Sequence, residues 1–324
     1  MTSETRSTAA PGRRPSTGRR LLAAVIILAL LGAIGFVMLT SPDLQSAGTE
    51  PIPAGEPNLE NGRVLFAACG CSSCHATPDG EDRTRLGGGY ALRSPFGTFH
   101  IPNISPHPTD GIGSWTPAQF LRAMRGGVSP DGRHYYPSFP YTSYQRMSAA
   151  DVRDLFAYLG TLAPVQGRAR DHELPFPFNV RRGLGLWKIA FLDGRPFEPD
   201  TTKSESWNRG AYLVEGPGHC AECHSPRNAI GVIPSDRRFA GGPNPEGGRG
   251  WVPNITPHET GLKDWTKSDV SEVLSSGLTP AGDSVGGEMA KVVRSTSQLP
   301  ESDRDAIAEY VLSLPPREGR KGPP

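Results

Sequence analysis

The chain has 324 residues, room for two ordinary domains and more. Its 34 basic and 33 acidic residues leave a formal charge of +1, so charge gives no basis for binding nucleic acid or acidic partners. With 39 Gly, 33 Pro and 36% hydrophobic residues, the composition favours loop-rich domains with short helices over a sheet-rich fold.

Residues Met1 to Arg20 carry five Arg against one acid, Glu4, and read as a cytoplasmic basic tail. Leu21 to Thr40 contains no charge. As a helix, these twenty residues span roughly 30 Å, the thickness of a bilayer core. Arginines before the run and none just after it place the N-terminus in the cytoplasm and the rest of the chain outside. A cleaved signal peptide is the alternative, with Ser46-Ala47-Gly48 as a poor cleavage candidate. Both readings export the remainder of the chain. Ser41 to Pro57 is a Pro- and Gly-containing linker.

Asn58 to Ala68 reads as a short helix running into Cys71-Ser72-Ser73-Cys74-His75. This is a C-x-x-C-H sequence, the attachment site for c-type haem. One helical turn separates the two thiols, the spacing needed for two thioether bonds along one porphyrin edge, and the adjoining His75 supplies an axial ligand. The Gly-rich stretch Asp79 to Thr109 reads as loop. Trp115 to Met124 reads as a helix with Phe120, Leu121 and Met124 inward, ended by Gly126-Gly127. Val128 to Tyr144 is a Pro- and Tyr-rich loop. Ser148 caps a third helix, whose stripe is Val152, Leu155, Phe156 and Leu159. Within the connector 165–204, Val180 to Leu192 reads as an amphipathic helix, its apolar face set on its own domain, a partner or a membrane.

The pattern then repeats. Glu205 to Glu215 is a helix, and Cys220-Ala221-Glu222-Cys223-His224 is a second C-x-x-C-H. Val252-Pro-Asn-Ile-Thr-Pro257 repeats Ile101-Pro-Asn-Ile-Ser-Pro106, and Trp265-Thr266 repeats Trp115-Thr116. Leu299 to Pro316 repeats Met147 to Pro164. The predicted units are 58–164 and 205–316, with a polar tail at 317–324. A zinc site would need its second ligand pair close by, but these pairs lie 149 residues apart (220 minus 71). The fifth cysteine, Cys69, reads as a spare small residue or a free thiol, and a Cys69–Cys74 register ranks lower. No Ser-His-Asp set, phosphate loop or carboxylate pair stands out.

Each unit resembles a small class I cytochrome c domain, with first and last helices crossed and a loop-built haem pocket. Gly62 with Phe66, and Gly210 with Val214, resemble the close-packing positions of the first helix. Tyr158 and Tyr310 resemble the aromatic that meets them. The strings NISPHPTDGIGSW, SPDGRHYYPSFPYTSY and DLFAYL are similar to the cytochrome c subunits of membrane-bound alcohol, gluconate and related dehydrogenases. The resemblance implies a mainly α fold and two covalent haem c groups. It implies electron transfer from a periplasmic dehydrogenase subunit to an oxidase or quinone-linked acceptor. The competing class is a dihaem, peroxidase-like enzyme with one open iron.

The resemblance further implies a methionine opposite each histidine. In the second unit Met289 is the one choice, in the loop before the last helix. In the first unit Phe139 stands at the matching position and cannot ligate; Met147 is the leading candidate, His134 the next, and an open iron the third. Each histidine's other ring nitrogen is expected to meet a backbone carbonyl, from Pro102 or Pro106 and from Pro253 or Pro257. Trp115 and Trp265 resemble the family's indoles that hydrogen-bond a haem propionate, with Asn103 and Asn254 as helpers.

Overall fold

The computed structural model describes residues 17–44, 47–246 and 250–320. Most of the basic segment, the cleavage candidate Ser46 and the final residues 321–324 lie outside them. The first element, α1 (Thr17–Leu39), is 23 residues long, about 35 Å at 1.5 Å per residue, and exposed along nearly its whole length.

The described part of the Pro- and Gly-containing linker is tied to the first half at several points. Ala47 and Gly48 are buried. The Arg122 side chain donates to the Pro42 carbonyl and to Asp43, both at 3.0 Å, and Arg125 pairs with Glu50. Linker composition reports flexibility only where nothing captures the backbone, and here Arg122 holds the Pro42 carbonyl and Arg153 those of Pro53 and Ala54.

In the first half, α2 (Leu59–Ala68) is capped by Asn58, whose side chain accepts from Asn61 N–H. It leads into α3 (Cys71–His75). The hairpin β1 (Ala91–Ser94) and β2 (Gly97–His100) lies within the stretch expected to be loop. Next, α4 (Pro117–Gly126) begins at a capping box of Thr116 and Gln119 and ends at Gly127, φ +59°. A single turn, α5 (Tyr141–Tyr144), precedes α6 (Ala149–Gly160), which Ser148 caps as expected. The connector forms α7 (Leu184–Phe191).

The second half holds α8 (Glu205–Glu215), α9 (Ala221–His224), the two-residue pair β3 (Gly242–Pro243) and β4 (Trp251–Val252), α10 (Lys267–Ser276), α11 (Gly287–Thr296) and α12 (Glu301–Leu312). The extra element is α11. Met289 was expected in a loop and sits in the first turn of this helix.

In each half the first and last helices cross at a glycine. A Cβ on Gly62 would lie 2.2 Å from the Asp154 carbonyl oxygen; one on Gly210 would lie 1.9 Å from that of Ala306. Only glycine permits this approach. The expected aromatics meet there: the Phe66 and Tyr158 rings are 5.5 Å apart, and Tyr310 packs on Trp207 at 5.1 Å. Helix α2 is buried on two sides. Leu65 and Phe66 enter the first core with Leu121, Leu155 and Leu159, while Val64, Ala67 and Ala68 enter the second with Leu213, Val214 and Val311. The halves therefore share core through α2.

Candidate haem-attachment sites

Each C-x-x-C-H is a short helical turn whose ends are tied down. The His75 carbonyl accepts from Gly88 N–H and the His224 carbonyl from Gly241 N–H, both at 2.8 Å. All five cysteines are free of disulfide. Burial pushes the Cys74 thiol up to about 11 and those of Cys220 and Cys223 to about 12, so all three are protonated thiols at neutral pH. Cys69 is buried; its hydrogen-bond interaction with Cys71, then burial, holds it well above the ordinary thiol range.

His75 Nδ1 lies 2.9 Å from the Pro102 carbonyl, and His224 Nδ1 lies 2.8 Å from that of Pro253. Of the paired candidates, Pro102 and Pro253 are thus the ones that serve, not Pro106 and Pro257. A carbonyl can only accept, so Nδ1 carries the proton and Nε2 keeps its lone pair. Burial lowers His75 to about 4 against the opposing Pro102 bond, and lowers His224 likewise. Both rings are neutral at pH 7, as a metal ligand must be.

Asn103 and Asn254 take a different part from the one expected. Asn103 Oδ1 accepts from Ser105 N–H and hydroxyl, while Nδ2 donates to the Val165 carbonyl at 2.7 Å. Asn254 does the same with Thr256 and the Arg317 carbonyl, also 2.7 Å. Each amide clamps the proline loop to the chain beyond the last helix, so its donors are spent. They position the carbonyl that orients the histidine. The supposed tail residue Arg317 belongs to this clamp.

Among the described residues neither Trp115 nor Trp265 has a protein acceptor for its indole N–H, which leaves both free for an outside acceptor. Trp251, which sequence reasoning passed over, has a buried indole nitrogen with no partner. It stands two residues before Pro253, where the repeat has His100, so the repeat gave no signal.

The candidates opposite the first histidine lie in different surroundings. Met147 is 0% exposed, enclosed by first-core residues. The motif cysteines and histidines and Met289 all keep some accessible surface. Met147 packs within the first core, as its repeat partner Leu299 does within the second. His134 Nε2 lies 2.9 Å from the Thr40 carbonyl, at the end of α1, while its Nδ1 is buried without a partner. Phe139, partly buried against Tyr135 and Tyr144, occupies the place that Met289 holds in the second half.

Both motifs lie where the halves meet. The Ser73 hydroxyl donates to the Lys291 carbonyl on α11 at 3.2 Å. Reciprocally, Glu222 accepts from the Thr142 and Ser143 hydroxyls of α5 at 2.6 and 2.9 Å. Sequence reasoning treated both as spacer residues.

The donor set fits covalent haem and little else. Two free thiols one turn apart adjoin a histidine with its outer nitrogen committed and its inner one open. Among the described residues no group of three His, Cys, Asp or Glu side chains converges as a zinc site would require. Together with the glycine-crossed helix pair, this defines a c-type cytochrome.

The cytochrome c family model matches residues 59–163. A dihaem c-type cytochrome of Cereibacter sphaeroides is 50% identical over 92% of this chain and 99% of its own length. The cytochrome subunit of fructose dehydrogenase from Gluconobacter japonicus is 37% identical over 86% of the chain. The cytochrome c subunit of gluconate 2-dehydrogenase from Pantoea cypripedii is 31% identical over 89%. The chain spans 57% and 64% of those two relatives. It belongs to the dihaem c-type cytochromes, related to the cytochrome c subunits of membrane-bound dehydrogenases.

Proposed function

We propose that the protein is a membrane-anchored electron carrier with two covalent haem c groups, one on Cys71, Cys74 and His75, the other on Cys220, Cys223 and His224. The units are 58–164 and 205–316, two tandem class I cytochrome c-like domains. The carrying observation is reciprocal docking: Ser73 of one motif touches α11, and Glu222 of the other touches α5. Both attachment turns thus touch the shared interface, which would bring two bound haems near one another. Bound haem supplies reversible one-electron chemistry at iron. The chain's residues orient the ligand histidines through Pro102 and Pro253, and offer Trp115, Trp265 and Trp251 as donors to propionates.

Helix α1 anchors the protein in the cytoplasmic membrane with the haem units in the periplasm; its length and flanking arginines support this. The relatives named for fructose and gluconate dehydrogenases point to a dehydrogenase subunit as electron donor and an oxidase or quinone-linked acceptor downstream. Met289 would serve as the second protein ligand to an iron held by His224. For the first, Phe139 at the ligand position and the enclosure of Met147 favour an iron open to small ligands. That keeps a peroxidase-like activity as the second reading.

The test is haem stoichiometry and redox titration of the detergent-solubilised protein. Two haems resistant to denaturation, removed by half in Cys71→Ala/Cys74→Ala, and two reversible one-electron steps are expected. One haem or none per chain defeats the proposal. Turnover of peroxide at an enzymatic rate would favour the second reading.

A further inference from the structure

The connector does more than join the halves. Arg182 donates from Nη2 to the Val37 carbonyl at 2.7 Å and from Nε to the Thr40 hydroxyl at 3.0 Å. A Cβ on Gly185 would lie 2.6 Å from the Thr40 Cα. The first turn of α7 is therefore pressed against the last turn of α1, with His134 closing the other side on the Thr40 carbonyl. Its inner face is held by Lys188, whose Nζ donates to the Gly126 carbonyl at 2.8 Å.

The outer face of α7 is apolar and open. Leu186, Ile189 and Phe191 are 43%, 54% and 44% exposed. The same surface continues into the second half, where the Trp187 indole donates to the carbonyl of Ile230, itself exposed. From Gly185 to Phe191 is six residues, about 9 Å along a helix axis. The polar zone on each side of a bilayer core is roughly 5–8 Å thick. Leu186 and Ile189, about 1.5 and 6 Å along the axis, thus lie within one headgroup layer of the point where α1 emerges, and Phe191 lies just beyond it. A patch of this kind in water would be an aggregation liability.

We propose that the outer face of α7 is seated in the periplasmic leaflet of the bilayer that α1 spans, so that the protein stands on its membrane through a fixed footing. The occupant is lipid, because the surface is continuous with the exit of the spanning helix, and Arg182 sits at that exit as a partner for lipid phosphate. The proposal rests on the anchor reading of α1. It adds that the haem units are held in one orientation to the membrane.

The full chain would be reconstituted in nanodiscs of phosphatidylethanolamine and phosphatidylglycerol carrying a diazirine on the acyl chain. After irradiation, adducts would be mapped by mass spectrometry. Adducts on the peptide covering Leu184 to Phe191, along with those on α1, are expected. Leu186→Ser/Ile189→Ser/Phe191→Ser should lose the α7 adducts while keeping those on α1 and both haems. Adducts confined to α1 in the native chain overturn the proposal, and would show that another protein covers the face. Failure to enter nanodiscs at all, with no adduct on α1, would instead overturn the anchor reading.

Discussion

Glu222, the third residue of the second haem motif, accepts the Thr142 hydroxyl across the interface at 2.6 Å. Its other oxygen pairs with Arg227. Burial opposes its charge, but Arg227 and the two hydroxyls outweigh it, so its carboxyl is held below the usual range. A spacer position in the attachment motif thus also couples one half to the other.

A carboxylate with a depressed folded value stabilises the protein above its unfolded value near 4.5, and that contribution fades as pH falls through the folded value. Glu222→Gln should remove this part of the acid sensitivity. It should also cost about 3 kcal/mol at neutral pH, the lower end of the range for breaking a buried pair, because Arg227 keeps 26% exposure. Denaturant melts of both proteins at neutral and acid pH provide the check. Equal loss of stability in both on acidification would show that Glu222 is not the titrating group.

A stiffer test of the fold lies at the second crossing. Gly210→Ala would place a methyl 1.9 Å from the Ala306 oxygen, and α8 would have to move. Overpacking of this kind costs typically 1–3 kcal/mol. Thermal melts should show that loss, and a variant as stable as the native chain would mean that the helices do not cross here.

The crossings were readable because a glycine four residues before a large apolar residue, Phe66 or Val214, twice in matching places, has a steric cause. The motifs were readable because covalent attachment tolerates one spacing. Other features carried no such mark. The helix holding Met289 starts at Gly286-Gly287, residues that signal a turn, and tertiary packing against the first half overrides them. The linker's capture by Arg122 and Arg153 depends on long side chains whose targets are backbone carbonyls, invisible to any pattern. Asn103 and Asn254 looked like cofactor contacts because they stand beside the ligand loop. Only the hydrogen bonds show that their donors are already committed.

The two irons should differ. Met289→Leu should convert the second haem to a high-spin, ligand-binding form and leave the first unchanged. Met147→Leu is a volume-conserving change in a closed core, so it should cost less than about 1.5 kcal/mol and leave both spectra as they were. Phe139→Met should do the opposite of Met289→Leu, giving the first iron a sixth ligand and raising its potential. Optical and electron paramagnetic resonance spectra of the three variants, with redox titrations, decide the matter. A high-spin first haem in Met147→Leu alone would restore Met147 as its ligand.

Lys188 is wholly buried, donates to the Gly126 and Gly127 carbonyls, and lies 4.6 Å from the Tyr141 ring centroid. Burial, with Arg122 adding to it, pushes its amine down to about 7 from an ordinary 10.5. Between those two values the unfolded chain binds a proton that the folded chain does not, so stability contributed by this site rises with pH. Below about 7 both states hold the proton, and this dependence vanishes. A neutral amine still has two N–H groups for two carbonyls, so raising the pH removes the charge penalty without breaking the contact. Lys188→Met should therefore flatten the rise in melting temperature that the native protein shows from about pH 7 to about pH 10. An unchanged slope in the variant would mean that Lys188 stays charged in the fold, held by the carbonyls at the end of α4 and by the Tyr141 ring.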